Sequence, residues 1–188
     1  MSSKLIIRML LSSCALVFAG GAFAADDQDN AGYLGLRVGS ELDDRFPSGP
    51  YNVETDTPYS IYGGWNFHSH WGLELGYTDV GEIRAVGISD AGFELDANLW
   101  TLGVQYRQPF AERFELVAGA GIYQLNEDGH LVTIAGPIPY DNNETGIQAE
   151  VGVRYNFDGP LALRASYQWF DFDGGGDGTP WLGFEIGF

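Results

Sequence analysis

Three observations predict the fold class. Eight stretches alternate apolar and polar residues with a period of two, the connections between them switch between short and long, and aromatic residues gather near the ends of the stretches. Together they specify an all-β chain, an eight-stranded antiparallel up-and-down transmembrane β-barrel. Each stretch is close to the roughly 9–11 residues that a tilted strand needs to cross a bilayer.

Residues 1–24 read as a signal peptide ahead of a barrel domain at 25–188. Lys4 and Arg8 supply the positive start, Met9 to Ala19 the apolar run, and Ala22-Phe23-Ala24 the small-x-small cleavage pattern. Leu11-Ser12-Ser13-Cys14 loosely fits a lipoprotein box, but cutting there leaves only a short apolar core interrupted by Arg8. Cleavage after Ala24 removes the only cysteine and the only lysine, so disulfides cannot stabilise the mature chain.

The strands are expected near 31–39, 58–67, 70–79, 95–107, 112–124, 145–157, 160–171 and 180–188. The rhythm is clearest where Ile147, Ala149, Val151, Val153 and Tyr155 alternate with Gln148, Glu150, Gly152 and Arg154. In the fourth stretch Glu94, Asp96 and Asn98 share parity with Trp100, so either they project beyond the bilayer or a bulge intervenes. Connections after the second, fourth and sixth strands are short. Those after the first, third and fifth run to about 15–20 residues, as in barrels with short periplasmic turns and long outer loops. A soluble sandwich or lipocalin-like barrel has no reason to keep that alternation. Trp65, Trp71, Tyr77, Tyr106, Tyr155, Trp169 and Trp181 are assigned to aromatic girdles at the two water–lipid boundaries.

The whole chain carries 9 Lys+Arg against 26 Asp+Glu, a net charge of −17. That balance excludes phosphate-tracking nucleic-acid binding, which needs clustered basic residues.

The segment pattern and the closing Gly183-Phe184-Glu185-Ile186-Gly187-Phe188 resemble the small outer-membrane barrels typified by the OmpA transmembrane domain. The resemblance implies a location in the bacterial outer membrane. It also implies that Phe188 ends the signal read by the outer-membrane assembly machinery. The periplasmic peptidoglycan-binding domain that follows the OmpA barrel is not carried over, and a barrel-only member is expected.

Turning the apolar faces to lipid sends Arg37, Glu74, Gln105, Arg107, Arg113, Glu115, Gln148, Glu150, Arg154, Arg164 and Glu185 inward. Unpaired charge in a narrow lumen is costly. Arg37, Glu74, Glu115, Glu150, Arg154, Arg164 and Glu185 are therefore expected to form an interior salt-bridge network, and the lumen to be filled by side chains. The outer loops hold acids such as Asp43, Asp79, Asp90, Asp128 and Asp141, read as a solvated surface in preference to a divalent-cation site. Asp171-Phe172-Asp173-Gly174-Gly175-Gly176-Asp177 lacks the ligand spacing of an EF-hand.

No catalytic residue, metal ligand or cofactor is assigned. His68 and His70 flank Ser69 in a predicted periplasmic turn, and His130 has no serine near it in sequence. The expected partners are outer-membrane lipid, lipopolysaccharide and the assembly machinery, with the chain a monomer and any surface ligand unnamed. The expected role is structural or surface-interacting, with a narrow channel or a lipid A-modifying enzyme as alternatives.

Overall fold

A computed structural model of the chain describes residues 32–40, 52–86, 92–133, 136–172 and 175–188. The expected signal peptide at 1–24 and the loop acids Asp43 and Asp90 lie outside these residues. Among the described residues there are nine strands: β1 (Gly32–Gly39), β2 (Asn52–Thr55), β3 (Tyr59–Asn66), β4 (Trp71–Val86), β5 (Gly92–Ala111), β6 (Phe114–Thr133), β7 (Gly136–Asn156), β8 (Leu161–Phe172) and β9 (Gly175–Gly187).

Eight of them close into an antiparallel ring. Each strand pairs with its neighbour in the chain, β2 excepted, and β9 returns to β1. The closure is made at the last residue: Gly32 N–H donates to the Phe188 carbonyl at 3.0 Å and Phe188 N–H to the Gly32 carbonyl at 2.9 Å. Closure leaves the transmembrane wall with no unpaired strand edge in hydrocarbon, where a bare peptide group would be very costly.

The alternation decides which face turns where. Leu36, Ile122, Ile147, Val151, Leu182, Phe184 and Ile186 point outward and are about half exposed. Their partners by parity, among them Arg37, Tyr123, Glu150, Arg164 and Glu185, are buried in the lumen. A continuous apolar belt of this size has no place in water, and a bilayer is the medium that fits it. Among the described residues no helix is long and apolar enough to cross a membrane; the crossing is made by strands.

Two close approaches knit β1 to β3. Tyr33 stands opposite Gly64 and Tyr62 opposite Gly35. Each ring lies over its glycine, so a Cβ at either position would run into the tyrosine. The two rings meet edge to face with centroids 6.3 Å apart.

Strand length departs from expectation. The connections after the third and fifth expected strands are not loops of 15–20 residues. β4 and β5 pair as far as Val86 with Gly92, and β6 and β7 as far as Thr133 with Gly136. β8 meets β7 only from Gln148 downward, so residues 136–147 of β7 extend beyond it. At about 3.3 Å per residue that is roughly 40 Å of strand. A sheet of β2, β4, β5, β6 and β7 thus rises above one side of the barrel, with β2 laid along the outer end of β4. The Asp/Glu-rich composition of these segments suggests solvated loops, but hairpin pairing satisfies the same backbone while leaving the carboxylates in water.

The structure also answers the parity question in the fourth stretch. Glu94, Asp96 and Asn98 stay on the outer face of an unbroken β5, above the belt. The bulge lies in the facing strand, where the register slips between Asp79 and Gly81. Gly81 takes φ +85°, a backbone region that side chains rarely adopt.

Candidate functional site

The lumen is the candidate site, and it has two layers. The inner layer begins at the end with the short turns. β8 supplies Arg164, the largest of the fully buried side chains, 1% exposed. Its guanidinium donates to Glu74 Oε2 at 2.6 Å and to Glu185 Oε1 at 3.3 Å, and its Nη2 lies 2.7 Å from Glu150 Oε1. The Glu150 contact is a charge contact without hydrogen-bond alignment. Arg154 from β7 donates to Glu185 Oε2 at 2.6 Å and Glu115 Oε2 at 3.1 Å. Arg37 from β1 lies 3.5 Å from Glu150 Oε1 and donates to Gln168 Oε1 at 3.0 Å. All seven residues assigned to the interior network therefore meet in one connected cluster.

Two features of that cluster are absent from the sequence-based assignment. Tyrosines tie it together: Tyr33 Oη donates to Glu74 at 2.7 Å and Tyr62 Oη to Glu185 at 3.1 Å. Arg107, inward by parity but left out of the network, stacks its guanidinium 4.1 Å above the Tyr33 ring. It brings the layer to four arginines against Glu74, Glu150, Glu185 and the partly buried Glu115, which neutralises a layer that would otherwise carry excess negative charge. Gln168 of β8 also donates to Gln148 of the adjacent β7.

Above this layer the lumen turns apolar. Val80, Ile83, Leu95, Ala97, Leu99, Leu125, Phe170 and Phe172 form a buried cluster with the Tyr123 ring. Phe170 and Phe172 stack at 5.4 Å, and Tyr123 meets both edgewise. Reading the barrel interior as polar throughout misses this layer, although a signal for it exists. Along β5 the apolar residues change parity, from Leu95, Ala97 and Leu99 facing in to Leu102 and Val104 facing out. Such a switch marks where the hydrophobic partner changes from core to lipid.

Two assignments require correction. Trp181 is not in a girdle: it is buried inside the barrel, 4% exposed, with Arg37 4.6 Å from its ring. It shares inward parity with Gly183 and Glu185, so alternation overrules the preference of indole for the interface. Arg113 does not enter the lumen. It sits in the turn before β6 and reaches Asp158 Oδ1 of the β7–β8 turn at 2.9 Å.

The other girdle assignments lie on the outer face. Trp71 packs on Tyr106 at 5.0 Å and Trp65 is exposed near the short turns; Phe114 packs on Tyr155 at 5.0 Å. Tyr77 packs on Trp100 at 4.8 Å toward the other end, and Trp169 also faces out there. Phe188 is exposed beside Gly32 at the seam.

Outside the lumen, the outer face of the projecting sheet carries Glu82, Asp96, Asp128 and Asp141 directly opposite one another on four successive strands. Arg84 lies 2.8 Å from Glu82 and 3.5 Å from Glu94, whose charges raise its already high pKa. Among the described residues no group of three or more His, Cys, Asp or Glu side chains is placed to hold a metal ion. In the turn between β3 and β4, Ser69 Oγ lies 3.1 Å from His68 Nδ1 and 2.9 Å from His70 Nδ1.

A closed ring of eight strands, a lipid-facing belt and a lumen packed with paired charge define a class: small integral β-barrels of the bacterial outer membrane. The family model for the outer membrane protein beta-barrel domain matches residues 10–187, and the chain belongs to that family. No curated protein matches the chain by sequence. Its fold is similar to that of the N-terminal β-barrel domain of Pseudomonas aeruginosa OprF, with TM-score 0.60 and 16% identity, covering 86% of this chain and 100% of that one. Ail, the attachment invasion locus protein of Yersinia pestis, is similar at TM-score 0.55 and 15% identity, covering 86% and 100%. Pseudomonas aeruginosa OprG matches at TM-score 0.55 and 14% identity, covering 86% and 97%. The protein is a β-barrel of the bacterial outer membrane.

Proposed function

We propose that this barrel is a sealed structural element of the outer membrane whose projecting sheet meets the cell's surroundings. The observation that carries the reading is the filled lumen. Three arginines and four glutamates interlock across it, a fourth arginine stacks on Tyr33, and an apolar plug closes it above. Hydrated ions would have to break the charge pairs and then cross a dry layer. Planar-bilayer recording of the refolded protein is expected to show no conductance steps of porin size; such steps would overturn the reading.

The partners follow from the surfaces. Lipid and lipopolysaccharide meet the outer belt, and the exposed Phe188 seam is offered to the assembly machinery. The chain acts as a monomer, without a cofactor and without catalysis. For the projecting sheet, the carboxylates on its outer face favour cationic or neutral contacts over polyanions such as nucleic acid. If the sheet is the interaction surface, shortening it abolishes attachment to cells or ligands while the barrel still folds.

A further inference from the structure

The apolar layer of the lumen is not fully packed. It encloses a small cavity of about 20 Å³ whose walls include Leu99, Leu125, Phe170 and Phe172, with Thr78 and Trp181 also lining it. Those two residues are the anomaly. Thr78 is 2% exposed and Trp181 4%, yet neither Thr78 Oγ1 nor Trp181 Nε1 has a hydrogen-bond partner in the protein. A buried polar group left unmatched costs about 1–3 kcal/mol, so two of them on one apolar cavity call for an acceptor there. The indole N–H can only donate, while the hydroxyl can donate or accept. The matching chemistry is one neutral oxygen on an otherwise apolar body, because a charged group would have to shed its water among phenylalanines. The charged layer closes the lumen beneath, which makes the cavity a blind site.

We propose that the outer lumen binds a small neutral oxygenated hydrocarbon, of the alkanol class, with its oxygen on Trp181 Nε1 and Thr78 Oγ1 and its alkyl body against Leu99, Leu125 and Phe170. A cavity of this size takes a group little larger than one water, so longer bodies require the stacked Phe170 and Phe172 rings to turn.

The five tryptophans supply the test, since Trp65, Trp71, Trp100 and Trp169 face outward and Trp181 alone faces in. The protein is labelled with 5-fluorotryptophan, refolded into lipid nanodiscs and titrated with ethanol and 1-butanol by fluorine NMR. The Trp181 signal is assigned by its loss in Trp181→Phe. It is expected to move along a saturating curve while the other four drift linearly as alcohol enters the lipid. Thr78→Val is expected to weaken the midpoint roughly three- to tenfold, as loss of one hydrogen bond implies. Leu99→Phe, which fills the cavity, is expected to abolish the curve; Ala97→Leu serves if that variant does not fold. A linear drift at Trp181 would mean an ordered water at most and would overturn the proposal. So would a saturating curve that neither Thr78→Val nor the filled variant alters.

Discussion

At the scale of single residues, the interior network makes one arginine decisive. Arg164 faces Glu74, Glu150 and Glu185, and losing it leaves three buried carboxylates without their shared cation. Arg164→Met is expected to cost about 3–5 kcal/mol, read as a lower urea midpoint for the protein refolded in vesicles. Tyr33→Phe removes only a neutral donor to Glu74 and Gln105, so the expected loss is smaller, about 1–3 kcal/mol in the same assay. Most of this network is legible in the sequence because strand parity assigns a side chain to the lumen without any knowledge of distance. Which arginine takes which glutamate is not legible, since that depends on the tilt and register that bring β8 across from β4. Trp181 shows the same rule winning over composition. A tryptophan near a strand end suggests a girdle, yet its parity with Glu185 sends it inside.

At the scale of the element, β7 contains two environments on one face. Val151 and Asp141 share its outer side, ten residues apart, with Val151 in the belt and Asp141 on the projecting sheet. Val151→Arg is expected to cost about 2–4 kcal/mol near the bilayer midplane, whereas Asp141→Arg, above the lipid, costs close to nothing. Equal losses in vesicle-based unfolding would mean that the bilayer does not end between them. The transmembrane half of each strand could be read from alternation, because lipid on one side and lumen on the other enforce it. The outer halves of β4 to β7 could not. There water replaces lipid, the outward residues become Asp, Asn and Glu, and the pattern looks like loop although the backbone ladder continues.

At the scale of the molecule, the charged layer and the closed seam hold the wall together independently of the height of the sheet above it. Replacing residues 128–141 with Asn-Gly would close β6 and β7 at the register pair of Glu127 with Asn142. The shortened protein is expected to keep the mobility difference between heated and unheated samples that marks an intact barrel. Loss of that difference would show that the sheet helps to close the ring.

The slip at Val80 bears on how such a wall can change over time. From β5 to β7 barrel and sheet share one ladder with no slip above the bilayer, so a single inserted codon there would turn the side chains that follow inside out, putting carboxylates in the plug and leucines in water. Lengthening by twos is harmless, and odd steps survive only where a kink swallows the spare residue. The glycine at 81 marks such a place. Drift in these hairpins should therefore run in even increments, with the rare odd ones accompanied by a new glycine.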